Sequence, residues 1–206
     1  MDGVLVDSEI HWKQIQSEFL RGLIPTWSEQ DQIELIGLSA HDVYKRLVDL
    51  YAIKLTVEQY FDYYKSISHE IYAVRSVLLP GVVEVLSSLS DFKLGLASSS
   101  PHAWIEIVLD RFDLRKFFSV IVSADDVGGV GKPDPKIYKL AFEKLQVSKA
   151  VAVEDSEKGV QSAVAAGLKC IAIRNGFNDH QNLSQANFLI THLSEINHEN
   201  LEKIWF

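Results

Sequence analysis

The 206-residue chain has a single cysteine, Cys170, so no disulfide can form within it. That suits a reducing compartment. No apolar run approaches the ~20 residues a membrane-spanning helix needs. No basic segment leads into a long apolar stretch at the start, so no signal peptide is expected. Positive charge is also scarce: 20 Lys and Arg stand against 28 Asp and Glu, a net charge of −8. That balance disfavours a nucleic-acid partner and serves solubility. Internal repeats and low-complexity linkers are missing. His41, His69, His102, His180, His192 and His198 show no metal-ligand spacing. What remains is an ordinary composition, 47% hydrophobic, enough for one sizeable core or one core plus a small second unit. A cytoplasmic enzyme or binding protein, monomeric or weakly dimeric, fits best.

From about Leu79 onward, short apolar runs alternate with helical patterns. Val82, Val85, Leu86 and Leu89 follow Pro80-Gly81 at helical spacing. Lys93–Ala97, Ser119–Val122, Ala150–Val153, Lys169–Ile173 and Asn187–Ile190 read as strands. Between them, helices are predicted after Pro101, over Asp134–Leu145 and over Ser156–Ala166, with Gly167 as a C-terminal cap. Continuous apolar strands separated by helices predict an α/β fold, a Rossmann-like parallel sheet with helices on both faces. Residues 8–76 contain no convincing strand. Helical patterns over Ile10–Leu20, His41–Ala52 and Val57–Val74 and a dense set of aromatics mark them as an inserted all-α module. The expected division is 1–7 and 77–206 for the core and 8–76 for the insert. Those aromatics read first as the core of that insert.

In an open parallel sheet, ligands sit beyond the carboxyl ends of the strands. Three polar clusters fall there. Ser98-Ser99-Ser100 follows the Lys93–Ala97 strand and reads either as an anion site or as an ordinary helix cap. Gly131-Lys132-Pro133-Asp134-Pro135 sets one lysine between two prolines, aiming a charge or simply making a turn. Glu154-Asp155-Ser156 follows Ala150–Val153; adjacent carboxylates at the end of a buried strand ask for a cation, and the competing reading is an N-cap. At the start, Asp2-Gly3-Val4-Leu5-Val6-Asp7-Ser8-Glu9 reads by itself as a glycine turn with capping residues.

Together, in this order, the four clusters resemble the four motifs of the haloacid dehalogenase-like phosphatases, and the helical insert resembles that family's small cap. The resemblance implies a phosphatase acting through an aspartyl-phosphate with Mg²⁺ as cofactor. It implies that Asp2 is the general acid/base and a backbone ligand of the metal, and that Asp155, with Glu154 beside it, supplies the side-chain ligands. It implies that Ser98 and Ser99 hold the phosphoryl group and that Lys132 neutralises its charge. Charge stabilisation of this kind is what phosphoryl transfer asks of a protein. His11 and Trp12, just after the first motif, are candidates to reach the substrate, a small phosphorylated metabolite such as a sugar phosphate, a polyol phosphate or phosphoglycolate.

One departure stands out. The family's nucleophilic aspartate would immediately precede Met1, at the end of an apolar strand in the middle of the sheet. Burying about five apolar residues is worth on the order of 10 kcal/mol, comparable with the stability of a whole domain. The expectation is that a few residues of the functional protein lie upstream of Met1. A phosphomutase resembling β-phosphoglucomutase is the second reading. Trp12 stands where that group has a histidine, and Gly37-Leu38-Ser39 is followed by Ala40 rather than arginine, which favours hydrolysis. A non-catalytic protein that binds a phosphorylated ligand is the third.

Overall fold

A computed structural model describes residues 1–35, 38 and 40–205. Gly37 and Ser39, used above to weigh the mutase, lie outside the described residues. The elements run α1 (Ser8–Leu23), α2 (Glu29–Leu35), α3 (Ala40–Tyr51), α4 (Val57–His69), α5 (Val82–Ser88), β1 (Leu94–Ser98), α6 (His102–Arg111), β2 (Phe118–Ser123), α7 (Lys136–Leu145), β3 (Val151–Glu154), α8 (Glu157–Ala165), β4 (Lys169–Ile173), β5 (Phe188–Ile190) and α9 (His198–Trp205). The fold is α/β with parallel strands, as the alternation predicts. Two elements escape the sequence pattern. α2 is too short to show a period, and the helix expected over Val57–Val74 changes after His69 into a π-helical turn, Glu70–Arg75.

Local chemistry explains the boundaries. Thr56 and Gln59 close a reciprocal capping box at the start of α4. The Ser156 hydroxyl accepts from Gly159 N to open α8. Gly167, at φ +81°, ends the helical turn after α8, where a side chain would strain the backbone.

The parallel strands form two ladders rather than one sheet. β1 pairs with β2, and β3 pairs with β4, which pairs with β5. Between the ladders lies an apolar slot of about 280 Å³. Its walls include Leu94–Ala97 of β1 and Val151–Glu154 of β3, and Met1, Val4 and Leu5 border it. Both facing strand edges lack a ladder partner there among the described residues. A strand buried on both faces needs such an apolar lining.

Residues 8–69 hold no strand among those described and build their own aromatic core, with Trp27, Leu47, Tyr60 and Tyr64 buried in it. Just before α1 and just after the π-helical turn, Asp7 meets Val77. The Asp7 carboxylate accepts from Val77 N at 2.7 Å, and Asp7 N donates to Val77 O at 3.2 Å. No described helix is long and apolar enough to cross a membrane.

Candidate active site

β1 ends at Ser98 and β3 at Glu154, and Asn175 lies just past the end of β4. Their carboxyl ends open on a cavity of about 480 Å³. Asp2, Ser98, Ser99, Lys132, Glu154, Asp155 and Trp12 all line it, so every residue expected at the site except His11 is brought to one place. His11 is a correction. It does not line the cavity; its Nε2 is buried without a hydrogen-bond partner, 4.0 Å from Asp7 Oδ1. On α1 the cavity side is marked by Glu9, Trp12, Lys13 and Gln16, and His11 lies off that side, toward Asp7.

Asp2 is held by three donors. Ser8 Oγ and Tyr72 OH donate to Oδ1 at 2.5 and 2.8 Å, and Ser100 Oγ donates to Oδ2 at 2.9 Å. Trp12 Nε1 donates to Tyr72 OH at 2.9 Å. An indole N–H can only donate, so the Tyr72 proton is committed to Asp2. Burial pushes the Tyr72 hydroxyl well above its ordinary value, which keeps that proton in place. Tyr72 lies in the π-helical turn, and Arg111 of α6 fixes that turn by donating to Tyr72 O and Val74 O.

Lys132 follows β2 and precedes a cis Lys132–Pro133 bond. Its N donates to Ser99 Oγ at 3.4 Å, its Nζ to Ala97 O at 3.2 Å and to Glu154 Oε1, and its Nζ lies 4.9 Å from the Tyr138 ring centre. Tyr138 OH donates to the same Glu154 oxygen. Glu154, expected beside Asp155 on a metal, is therefore engaged elsewhere: its carboxylate holds Lys132. The pairing is what buried charges require, since an unpaired one is costly. Gly159 packs so closely on Glu154 that any Cβ there would collide with the carboxylate.

Asp155 faces the opposite way. Gly3, at φ +66°, passes against its carboxylate with no room for a Cβ. Asn175 Nδ2 donates to Gly3 O at 2.8 Å and reaches Asp155 Oδ2 at 3.4 Å, while Asn178 Nδ2 donates to Asp155 O at 2.6 Å. Burial first, and the adjacent Glu154 second, push the Asp155 carboxyl up to about 7. Burial, with Asp2 and Asp155 beside it, pushes Glu9 up to about 8. No group of three or more His, Cys, Asp or Glu among the described residues forms a ready-made metal cage. Sequence reasoning missed Ser8, Tyr72, Ser100, Tyr138, Asn175 and Asn178. Ser8 and Ser100 lie inside clusters the sequence marks and Asn175 lies just past the end of β4, whereas Tyr72, Tyr138 and Asn178 carried no signal.

The raised carboxyls set a pH dependence. Both are higher in the folded protein than in an unfolded chain, so their contribution to stability is complete below about pH 4 and is lost as pH rises through about 7–8. In chelator, the thermal midpoint should fall between about pH 5 and about pH 9. A midpoint that is flat or rising across that window would show that Asp155 and Glu9 are not held neutral.

The two-ladder α/β core thus brings an aspartate, a paired lysine, hydroxyls and a crowded carboxylate together at its strand ends. The family model of the haloacid dehalogenase-like hydrolases matches residues 1–173. The chain belongs to that family and, within it, to the phosphoric monoester hydrolases. It is 34% identical over 194 residues to the phosphorylated carbohydrates phosphatase of Thermotoga maritima, covering 90% of this chain and 88% of that one. It is 32% identical to hexitol phosphatase B of Escherichia coli K12, covering 84% and 80%. The fold matches CbbY from Rhodobacter sphaeroides, solved in complex with phosphate, at a TM-score of 0.83 and 24% identity over 98% of this chain and 96% of that one.

Proposed function

We propose that the protein is a Mg²⁺-dependent phosphatase of a small sugar or polyol phosphate. In this reading Ser98 and Ser99 hold the phosphoryl group, Lys132 offsets its charge, and Asp2 moves the proton. Residues 8–76 form a cap over the core of 1–7 and 77–206. The observation that carries the reading is the convergence of Asp2, Ser98, Ser99, Lys132 and Asp155 on one cavity. The Asp7–Val77 pairing and the separate aromatic core support the cap.

The donor set fits a hard divalent cation. Asp155 is crowded by negative charge without a full counter-charge, and Mg²⁺ is commonly held by one or two carboxylates plus substrate phosphate and water. Asp155 and the backbone carbonyl of Asp2 would hold it, with Glu154 left to orient Lys132. When bound, Mg²⁺ supplies positive charge to the phosphoryl oxygens. Asp2 donates to the leaving oxygen and later takes a proton from water, and Ser8, Tyr72 and Ser100 fix its carboxylate for both tasks. The nucleophile of this reading is an aspartate immediately before Met1, on an apolar strand filling the slot between β1 and β3. An aspartyl-phosphate formed on it divides one hard hydrolysis into two easier steps.

Two proteins test this: one beginning at Met1 and one carrying the codons upstream of it. Each is assayed for phosphate release from sugar, polyol and glycolate phosphates, with Mg²⁺ and with chelator. Turnover by the longer form alone, and only with Mg²⁺, is expected. Binding without turnover by both forms would replace the phosphatase by a non-catalytic phosphate-ligand binder, and interconversion of sugar phosphates without phosphate release would replace it by a mutase.

A further inference from the structure

The cavity extends well past the phosphoryl end, and α1 measures its length. Glu9, Trp12, Lys13 and Gln16 all line it, at i, i+3, i+4 and i+7, one face of the helix. Glu9 lies at the Asp2 and Asp155 end, where those two carboxylates act on it. Seven residues of helix carry the wall roughly 10 Å further, to Gln16.

At the far end Gln16 and Gln32 are buried, at 7% and 4% exposure, and joined in a directed chain. Trp27 Nε1 donates to Gln32 Oε1 at 3.3 Å, Gln32 Nε2 donates to Gln16 Oε1, and Gln16 Nε2 donates to Tyr64 OH at 2.5 Å. Because the indole can only donate, the direction of the chain is fixed and so is the orientation of both amides. Each amide nitrogen has spent one N–H on the chain and keeps a second, and Tyr64 accepts from Gln16 and keeps its own O–H. Gln16, Gln32 and Tyr64 all line the cavity, beside Leu35 and Val43. The far wall is therefore apolar and set with uncharged donors. Lys13, the cation that residues 8–76 contribute to the cavity wall among those described, is solvent-exposed.

We propose that Gln16, Gln32 and Tyr64 form a hydroxyl-reading subsite, which selects a monophosphate ester with an uncharged, pentose- or hexose-sized hydroxylated chain over both short acids and bisphosphates. This rests on the phosphatase reading and narrows it. A glycolate-sized ester ends before the subsite and leaves its donors unpaired. A second phosphate at the far end would lose its hydration to neutral donors and apolar walls, with no buried cation among the described residues that line that end to replace it. Unpaired polar groups give a site of this kind its discriminating power.

The test is calorimetric titration, with Mg²⁺, of the Asp2→Asn protein, whose turnover is suppressed. The probes are a hexitol 6-phosphate, phosphoglycolate, a hexose 1,6-bisphosphate and inorganic phosphate. The hexitol phosphate is expected to bind most tightly. Adding Gln16→Leu should weaken it about tenfold relative to inorganic phosphate, the loss of one or two buried hydrogen bonds; Gln32→Leu does the same should Gln16→Leu fail to fold. Phosphoglycolate or the bisphosphate binding as tightly as the hexitol phosphate would overturn the subsite, as would a variant that weakens every probe alike. Both results leave the phosphatase reading standing. Absence of binding by any probe, inorganic phosphate included, overturns the two together.

Discussion

Replacing Lys132 by methionine should lower the thermal midpoint by roughly 10 °C and reduce phosphate release at least about 100-fold. Lys132 and Glu154 form a buried ion pair, with side chains 9% and 5% exposed. Removing one member leaves the other charged, buried and uncompensated, which costs about 3–5 kcal/mol. Glu154 has nowhere to turn, because Tyr138 holds one oxygen and Gly159 is packed against the other. Methionine retains most of the packing of the lysine stem, so the loss reports charge rather than volume. Combining Lys132→Met with Glu154→Gln should recover much of the stability, since the orphaned charge is gone, and none of the activity. Thermal melts of the two single variants and the double variant separate the effects. If Lys132→Met melts at the wild-type temperature, Glu154 is not a buried charge that depends on it.

Asp2→Asn should reduce turnover by about 10²–10⁴-fold while leaving the melting temperature within a few degrees. The amide keeps the shape of the carboxylate but cannot carry a proton between leaving group and water. Its NH₂ also faces a donor where the carboxylate accepts, since Ser8, Tyr72 and Ser100 all point hydrogens at this group. Steady-state phosphate release, in whichever form of the protein turns over, should show the loss in kcat with KM little changed, because Asp2 acts on the bond being broken. A variant that loses affinity but keeps kcat would make Asp2 a binding residue and remove it from the proton-transfer step.

Much of the molecule is legible in the sequence. The order of strands and helices from Leu94 onward follows from apolar runs of strand length punctuated by capping residues, and β4 matches its sequence range residue for residue. Ser98, Ser99 and Asp155 stood out in the sequence because polar residues at the ends of parallel strands face the ligand side of the sheet, and the family resemblance added Lys132; all four line the cavity. Tyr72 could not be found that way. It is 70 residues from Asp2 and sits in a π-helical turn that continues an apparently ordinary helix. Nothing in the spacing of Tyr60, Tyr64 and Tyr72 tells the one that grips Asp2 from those that pack the insert.

Sequence alone therefore determined the fold class, the strand-free helical run over residues 8–69 and the place of the polar clusters along the chain, because periodicity and strand-end position are local properties. The tertiary structure decided what each group is bonded to. Glu154 and Asp155 are neighbours in the chain, yet one turns to Lys132 and Tyr138 while the other turns to Gly3 and Asn175. His11 and Trp12 are neighbours too, and only Trp12 lines the cavity. Adjacent residues on a strand end or a helix point in different directions, and which direction holds the partner depends on elements far away in sequence. The slot between β1 and β3 is likewise a property of two ladders that meet only in space.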